Sequence, residues 1–228
     1  MTQTPQKTVL VTGATRGIGK AIAEVFEGHD WKVIAPKRSE MELTSSDSVK
    51  RYLADLAGKS IAIDALINNA GENKINFLEK LPDEDWSRIF QVNLNSAFLL
   101  CRELVPTMSK RGWGRVVNLS TVYSGLARPG RAAYSASKAG LESLSRSVAL
   151  EFGLSGVLAN SVCPGFIDTD LTRQNNSPEV IQKLASQTAL GRLGRVDEIA
   201  RLVYFLGSDE NTYLTGQSIV IDGGFSIQ

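Results

Sequence analysis

The stretch KTVLVTGATRGIG, residues 7–19, decides the fold that the rest of the chain must follow. Its first half, KTVLV, is a short apolar run of the kind that forms a buried β-strand. Gly13, Gly17 and Gly19 follow, and IGKAIAEVFEG then has the apolar spacing of a helix that stops at Gly28. A strand, a glycine turn and a helix in this order predict the start of a βαβ unit.

The glycine turn also predicts a ligand. Gly13 permits a tight turn, whereas Gly17 and Gly19 let the backbone approach a pyrophosphate and let the helix pack closely on the sheet. The helix begins with free N–H groups and the positive end of its dipole, which both favour phosphate. The turn could also be a tight connection without any ligand. Its βαβ context favours dinucleotide binding.

Strands and helices alternate along the rest of the chain. Apolar runs that predict strands are WKVIAP, AIDALINNAG, GRVVNLST, VLANSVCPG and QSIVIDGG. The segments between them predict helices: SDSVKRYLADLAG with Ser45 or Ser46 as N-cap and Gly58 as stop, a long stretch over residues 83–112, RAAYSASKAGLESLSRSVALEFG, SPEVIQKLASQ and RVDEIARLVYFLGS. This alternation predicts an α/β protein of a single Rossmann domain, residues 1–228, with a doubly wound parallel sheet and helices on both faces.

Two details of this pattern lead to further expectations. Only about ten residues, PKRSEMELTS, separate the second strand from the next helix, which is short for a helical crossover. We therefore expect MEL, residues 41–43, to be a short edge strand reached without a helix; the alternative is that this strand is vestigial.

Pro106 predicts a bend within the long helical stretch or a boundary near its end.

Composition excludes several classes of protein. The 228 residues are 43% hydrophobic and 21% charged, as in a globular protein, and the net charge of +1 gives no field that would attract nucleic acid or an anionic membrane. The first residues, MTQTPQK, are polar, and no apolar run has the length of a membrane span, so we expect a cytoplasmic protein. Cys101 and Cys163 are expected to be buried free thiols, and His29 a surface residue. No cluster of cysteine and histidine predicts a metal site.

The stretch YSASK, residues 134–138, carries the clearest signal for chemistry. Positions i and i+4 of a helix share a face, so Tyr134 and Lys138 project into the same space. A neighbouring ammonium lowers the pKa of a phenol, which could then exchange a proton with a carbonyl or an alcohol. Taken alone, the pair would more often be an exposed surface pair of a helix.

At this point the sequence resembles the short-chain dehydrogenase/reductase family. The resemblance is carried by TGATRGIG, by NNAG at residues 68–71, by VNL around Asn93, by GRVVNLST, by YSASK and by Pro164-Gly165, all in the family's order. The C-terminal segment GRLGRVDEIARLVYFLGSD and YLTGQSIVIDGG are similar to the branch that contains bacterial 3-oxoacyl-carrier-protein reductases. The resemblance implies an NAD(P)-dependent oxidoreductase that interconverts a ketone and a secondary alcohol.

The resemblance also implies roles for individual residues. Tyr134 would be the general acid or base, Lys138 would tune it and hold the nicotinamide ribose, and Asn93 would link Lys138 to solvent protons. The implied cofactor-binding positions are Gly13, Thr15, Arg16, Gly17, Ile18, Gly19, Lys37, Arg38, Glu42, Leu43, Asn69, Ala70, Gly71, Tyr134, Lys138, Pro164, Gly165, Ile167 and Thr169.

The second strand predicts which nicotinamide cofactor binds. It ends in Pro36, Lys37 and Arg38, with no acid before Glu40, and Arg16 in the glycine turn could reach the same place. Bases at this position suit the 2′-phosphate of NADP(H), whereas an acid would suit the ribose of NAD(H). We therefore favour NADP(H), with NAD(H) as the alternative. Glu42 and Leu43 stand where the family often has the residues that flank the adenine.

The catalytic hydroxyl departs from the family pattern. The family places a serine about thirteen residues before the tyrosine, and here NLST places Thr121 there, preceded by Ser120. Threonine has the same hydroxyl, but its extra methyl group restricts the side chain. Thr121 could replace the serine, which we favour, or Ser120 could do so. The third reading is an impaired site in a protein that only binds nucleotide.

The substrate side is less defined. Residues 166–190 are implied to form a lid over a small-molecule carbonyl or alcohol, which could be linked to a carrier. A 3-oxoacyl thioester is one candidate, and a sugar or polyol is the other. Arg128 and Arg131 could meet an anionic group, although solvated surface positions are the safer reading. The family also implies a homotetramer, or a dimer; the rivals are a nucleotide-binding regulator and a structural subunit of an active paralogue.

Overall fold

The computed structural model describes residues 6–227, with the backbone alone at positions 171 and 175. Its strands are β1 Thr8–Val11, β2 Lys32–Ile34, β3 Ala65–Asn68, β4 Gly114–Leu119, β5 Val157–Pro164, β6 Ile167–Asp168, β7 Gly194–Arg195 and β8 Ser218–Ile221. Six of them form one parallel sheet in the order β2-β1-β3-β4-β5-β8. The predicted doubly wound Rossmann sheet is confirmed. The short strands β6 and β7 pair separately.

Helices cover both faces of the sheet. They are α1 Gly17–Glu27, α2 Ser46–Gly58, α3 Asp83–Phe90, α4 Ser96–Lys110, α5 Ala132–Phe152, α6 Asp170–Asn175, α7 Pro178–Ser186 and α8 Val196–Gly207. One apolar core lies between the sheet and α2, α4 and α5, and a second lies between the sheet and α1 and α8. The boundaries predicted for α1 and α2 are confirmed, with Ser45 as the N-cap of α2.

The central strands are buried on both sides, which explains their continuous apolar runs. In β1, Leu10 packs into the first core while Val9 and Val11 pack into the second, because successive side chains of a strand point to opposite faces. Each of these side chains is fully buried, and burial of one such side chain contributes about 1.5–3 kcal/mol. The cores hold the carboxyl ends of the strands at one edge of the sheet.

The expected edge strand at residues 41–43 was wrong. These residues form no strand, and β2 is itself the edge of the sheet. Met41 is only 4% exposed and packs into the first core. The segment between β2 and α2 is therefore a packed loop, because its apolar residues are used in the core rather than in a further strand.

The long helical stretch is divided. α3 ends at Phe90, residues Gln91–Asn95 form a wider π turn, and α4 continues from Ser96. Pro106 lies inside α4, four positions before its last residue. Such π turns often occur at functional sites, and this one contains Asn93.

Three simpler features concern the surface and the thiols. Cys101 and Cys163 are free and buried, as predicted, and His29 is exposed and stacks on Tyr204 with ring centroids 4.0 Å apart. Within residues 6–227, no helix is both long and apolar enough to span a membrane. The same residues contain no group of three or more His, Cys, Asp or Glu side chains that could hold a metal ion.

Candidate active site

The carboxyl edge of the sheet brings together the segments that follow β1, β3, β4 and β5. They are the glycine turn, NNAG, the Ser-Thr pair and Pro164-Gly165. In open α/β sheets ligands bind at this edge, where neighbouring connections lead to opposite faces. The predicted site residues therefore come from distant parts of the sequence but lie along one edge.

The glycine turn has the geometry of a phosphate cradle. Gly13 and Gly17 have positive φ angles of 68° and 55°, which favour glycine over other residues. A Cβ atom at Gly19 would lie 2.3 Å from the Gly13 carbonyl oxygen, so only glycine fits there. Arg16, the N-cap of α1, makes no side-chain capping bond, and the first turn of α1 contains no acid. Its N–H groups and the positive end of its dipole suit a pyrophosphate.

The NNAG segment is fastened to this turn by Thr12, which the sequence analysis missed. The Thr12 hydroxyl accepts hydrogen bonds from the backbone N–H groups of Asn69 and Ala70, at 3.1 and 3.0 Å. The Asn69 side-chain amide donates to the Thr12 and Gly13 carbonyls, at 2.9 and 3.1 Å. Asn69 therefore braces the phosphate turn with its side chain. The position of Thr12, directly before the first glycine, was the only signal available.

Gly71, Asn93 and Lys138 meet beside the end of β3. A Cβ atom at Gly71 would lie 3.2 Å from the Lys138 amine nitrogen and 3.5 Å from the Asn93 side-chain oxygen. The Asn93 oxygen accepts from the Glu72 N–H at 2.7 Å, and its amide donates to the Glu72 carbonyl and the Ser137 hydroxyl. The π turn places Asn93 where it ties the NNAG segment to α5.

Lys138 is buried without a carboxylate partner in the described part of the chain. It is 3% exposed, and its amine donates to the Leu119 carbonyl at 2.5 Å. Burial lowers the pKa of Lys138 to about 8. Burial of a charged lysine lowers the free energy of unfolding. Lys138 is therefore a candidate for a functional residue rather than one that stabilises the fold.

Tyr134 lies on the same face of α5. The Lys138 nitrogen is 6.0 Å from the centroid of its ring. Burial raises the pKa of Tyr134, while the Thr121 hydroxyl and the charge of Arg131 act in the opposite direction. This is the reverse of the direction expected from YSASK, because desolvation of the half-buried phenol outweighs the neighbouring charges.

Thr121 and Ser120 face different partners. The Thr121 hydroxyl lies close enough to the Tyr134 phenol to lower its pKa. The Ser120 hydroxyl instead donates to the Glu142 carboxylate at 2.5 Å, and the Cys163 thiol donates to the same oxygen at 3.3 Å. Burial raises the pKa of Glu142, but these and neighbouring hydrogen bonds outweigh it and lower the pKa overall. Nothing in the sequence marked Glu142.

Of the two basic side chains that follow β2, Arg38 forms an ion pair, whereas Lys37 forms none within residues 6–227. The Arg38 guanidinium donates to the Glu42 carboxylate at 2.5 Å, and the Thr44 N–H donates to its other oxygen at 3.0 Å. These contacts lower the pKa of Glu42 to about 2. Arg16 and Lys37 are exposed, and neither takes part in an ion pair within residues 6–227. Glu42 is therefore turned towards Arg38.

The remaining predicted positions lie around the same edge. Thr15 is exposed, Ile18 packs against the second core, and Leu43 packs against the first. Pro164 ends β5, and a Cβ atom at Gly165 would lie 2.6 Å from the Cβ of Asp222, so this turn is tightly packed.

The segment implied to be a lid contains α6 and α7. Thr169 is the N-cap of α6, and its hydroxyl accepts from the Thr172 N–H at 3.1 Å. The Thr169 methyl group lies 3.8 Å from the position that a Cβ atom would take at Gly17. Ile167, in β6, is 7% exposed and packs into the second core. The start of α6 thus lies next to the glycine turn at Gly17.

An aromatic and basic wall is formed by Tyr123, Phe166, Phe225, Arg128 and Arg131, of which Tyr123 and Arg131 are close enough to affect the pKa of Tyr134. The rings of Phe166 and Phe225 are 5.0 Å apart, and each is 6.3 Å from the ring of Tyr123. Arg128 donates to the Tyr123 hydroxyl at 2.7 Å, and Arg131 is half-buried at the N-cap of α5.

Comparison with known proteins identifies the family to which the chain is similar. The model of a family described as enoyl-(acyl carrier protein) reductase matches residues 13–226. The chain is 37% identical to 3-oxoacyl-(acyl-carrier-protein) reductase FabG of Escherichia coli (strain K12) over 236 aligned residues, which cover 96% of both chains.

The chain is also similar to solved structures of dehydrogenases. A 4-hydroxyisoleucine dehydrogenase complexed with NADH superposes with a TM-score of 0.92 at 30% identity, covering 98% of this chain and all of that one. A mutant of a 4-hydroxyisoleucine dehydrogenase, complexed with NADH and succinate, has the same TM-score and identity over 97% of this chain and 99% of its own.

Proposed function

Since the chain belongs to the short-chain dehydrogenase/reductase family and is an oxidoreductase, we propose that it interconverts a ketone and a secondary alcohol with NADP(H). Tyr134 is the general acid in reduction and the general base in oxidation. The observation that carries this proposal is the meeting of Tyr134, Lys138 and Thr121 at the carboxyl edge of the sheet, next to a cradle shaped for pyrophosphate.

The nucleotide is held along this edge. The N–H groups at the start of α1 bind the pyrophosphate, and Gly71 leaves room for the nicotinamide ribose beside Lys138. Arg16 and Lys37 bind the 2′-phosphate, together with Arg38 when it leaves Glu42. This basic group supports NADP(H), whereas the solved relatives carry NADH.

The dihydronicotinamide, when bound, supplies a hydride to the carbonyl carbon of the substrate. Tyr134 transfers its phenolic proton to the carbonyl oxygen, so that an alcohol and a phenolate result. The raised pKa of Tyr134 keeps the phenol protonated at neutral pH, as a general acid requires. Thr121 donates a hydrogen bond to the same oxygen and polarises the carbonyl.

Lys138 then helps to restore the phenol. Its ammonium group lies near the phenolate, stabilises it and returns a proton to it, and solvent reprotonates Lys138 through the Asn93 segment. A pKa of about 8 lets Lys138 both hold and release a proton near neutral pH. The contacts of Asn93 with Glu72 and Ser137 keep this segment in place.

Residues 166–190 are the lid, and the whole chain acts as one domain.

The E. coli relative is named for a 3-oxoacyl thioester linked to a carrier protein, so such a thioester is one substrate class to test. The sugar or polyol alternative remains part of the same test. The place of Thr121 next to Tyr134 argues against a protein that only binds nucleotide.

We propose that the chain assembles into a homotetramer. Among the exposed apolar side chains are Phe98 on α4, Leu150 on α5, Tyr213 before β8 and Val220 in β8. The face of α4 and α5 and the edge of β8 would form two different two-fold interfaces, which together give a closed tetramer.

The proposal is tested by NADPH oxidation with a panel of ketones that includes 3-oxoacyl thioesters, keto sugars and small oxo acids. We expect turnover with at least one class, and loss of turnover in Tyr134→Phe with NADPH binding retained. Wild-type protein that binds NADPH but turns over no member of the panel in either direction would favour the binding-only function.

A further inference from the structure

Two positively charged side chains lie near the catalytic tyrosine: Arg131 acts on the Tyr134 phenol, and Arg128 is a neighbour of Arg131. Arg131 precedes Tyr134 by three residues, is half-buried, and is close enough for its charge to lower the pKa of the phenol. Arg128 is exposed, and its guanidinium carbon lies 5.6 Å from the ring centroid of Tyr123 and 5.9 Å from that of Phe166.

In the described part of the chain, these two positive charges have no acidic side chain as ion-pair partner. Among the ion pairs of residues 6–227, none includes Arg128 or Arg131. Most other arginines do pair with carboxylates: Arg38, Arg88, Arg102, Arg111, Arg173, Arg192, Arg195 and Arg201. A half-buried arginine next to a second arginine costs free energy unless an anion compensates the charge.

The surroundings of Arg131 confirm the imbalance. Burial is the main cause that lowers the pKa of Arg131, and the charge of Arg128 lowers this pKa further. The other titratable groups that affect the pKa of Arg131 are Tyr134 and Tyr123. None of these neighbours is a carboxylate. The missing negative charge is therefore expected to come from a ligand.

We propose that the substrate carries a carboxylate which Arg131 and Arg128 hold while the reacting carbon lies at Tyr134. The enzyme would thus act on a small oxo acid and the corresponding hydroxy acid. This inference rests on the proposed function of the site, and it selects one substrate class from it.

The position of Arg131 favours a carboxylate of the substrate itself over the phosphate of a carrier. In a carrier-linked thioester, the whole pantetheine arm separates the phosphate from the reacting ketone, and the part near the ketone is neutral. Arg131 lies within one helical turn of Tyr134, which suits an anion only a few bonds from the reacting carbon.

The rest of the wall suits the carbon chain of such a molecule. Tyr123, Phe166 and Phe225 form an apolar surface next to the two arginines. The planar guanidinium group can donate two parallel hydrogen bonds to a carboxylate. The carbon chain of such a molecule would therefore pack on the three aromatic rings, and its carboxylate would bind the two arginines.

The test compares 2-, 3- and 4-oxo acids of short chain length with their methyl esters, using NADPH turnover by wild type, Arg131→Gln and Arg128→Gln. We expect kcat/KM for the best acid to exceed that for its ester by at least about tenfold. Arg131→Gln should remove this preference by lowering turnover of the acid at least about tenfold more than turnover of the ester, whereas Arg131→Lys should keep part of the preference. Arg51→Gln, an exposed arginine on α2, is the matched control and should change neither rate.

A binding measurement decides the proposal without turnover. Calorimetry with the NADPH-loaded protein should detect succinate but not its dimethyl ester, and Arg131→Gln should abolish the succinate signal. Equal turnover of acids and esters, or no binding of succinate by wild type, would overturn the proposal. If thioesters are turned over in a Tyr134-dependent way while acids are not, the carboxylate inference alone fails; if Tyr134→Phe keeps full turnover, the proposed function fails.

Discussion

Two neighbouring hydroxyl groups at the end of β4 have different surroundings, and this difference is the basis for our proposal that Thr121 polarises the substrate. Thr121 lies beside the Tyr134 phenol, whereas Ser120 is bonded to Glu142. We predict that Thr121→Val lowers kcat/KM about 100-fold, because one hydrogen bond to the developing oxyanion is lost. Thr121→Ser should stay within about threefold of wild type.

Ser120→Ala is the matched control for this prediction, measured under the same conditions. It removes a hydroxyl at the adjacent position but leaves the Thr121 hydroxyl in place. A loss with Ser120→Ala as large as that with Thr121→Val would assign the polarising role to the wrong side chain.

Lys138 provides a second prediction at the residue scale, this time for stability. Its pKa is about 8 in the folded protein against 10.5 for an ordinary lysine. The unfolded chain therefore binds more protons between these values, and the wild-type free energy of unfolding falls as the pH decreases from about 10.5 to 8. Below about pH 8 the cost is fully present.

We expect Lys138→Met to unfold with a free energy about 1–3 kcal/mol higher than wild type near pH 7, after allowance for the lost bond to Leu119, although it should be inactive. The advantage should shrink towards about pH 10. Urea unfolding at both pH values measures it, with exposed Lys50→Met as a control within about 0.5 kcal/mol of wild type. A variant less stable than wild type near pH 7 would contradict the desolvation of Lys138.

Sequence could place Tyr134 and Lys138 on one helix face, since helical spacing alone requires this. It could not choose between Ser120 and Thr121, because adjacent residues after a strand point in different directions that depend on register. It also gave the wrong direction for the pKa of Tyr134. The surroundings of that phenol include Thr121 and Tyr123, which follow strand β4, and spacing along the helix does not show such contacts.

At the scale of elements, the turn between β1 and α1 depends on a close backbone approach. A Cβ atom at Gly19 would meet the Gly13 carbonyl oxygen at 2.3 Å and the Asn69 side-chain nitrogen at 2.4 Å. We predict that Gly19→Ala lowers the free energy of unfolding by about 1–3 kcal/mol and weakens nucleotide binding, because the turn must open.

Gly58 is the control for Gly19→Ala. It ends α2, and a Cβ atom there meets nothing within 4 Å. Gly58→Ala should raise the free energy of unfolding by about 0.4–1 kcal/mol, because the unfolded chain loses freedom. Urea unfolding and NADPH titration measure both variants. Similar effects from the two substitutions would mean that the close contact at Gly19 is not important.

The long elements were predictable because their apolar periodicity extends over several turns or over whole buried strands. The strand expected at residues 41–43 was wrong, since the apolar residues of a short connection can serve the core as well as a sheet. Elements as short as β6, β7 and α6 have too few residues for a periodic pattern, so the sequence did not reveal them.

At the scale of the whole molecule, the exposed apolar side chains lead to a prediction about assembly. Leu150 on α5 is 85% exposed and Val220 on β8 is 51% exposed. We predict a tetramer for wild type and dimers for Leu150→Arg and for Val220→Arg, because each substitution places a charge in one of two interfaces. Combining the two substitutions should give monomers.

Size-exclusion chromatography with light scattering measures this assembly, and Arg51→Glu on the exposed side of α2 is the control that should remain tetrameric. A monomeric wild type, or variants with unchanged mass, would contradict the two-interface arrangement. The alternation of strands and helices predicted the doubly wound parallel sheet of the molecule, but not these surfaces. The sequence does not mark Leu150 as exposed, because an apolar residue near the end of an amphipathic helix is equally suited to the core.

The central claim is that this edge of the sheet transfers a hydride from NADPH to a carbonyl carbon, with the proton from Tyr134. The most direct test uses NADPH deuterated at the transferring position, with the ketone panel, and detects the product alcohol by mass spectrometry. Wild type should place deuterium on the alcohol carbon, and Tyr134→Phe should bind NADPH equally well but form less than about one hundredth of that product. An absence of deuterated alcohol from wild type that binds NADPH, or equal product from Tyr134→Phe, would contradict the account.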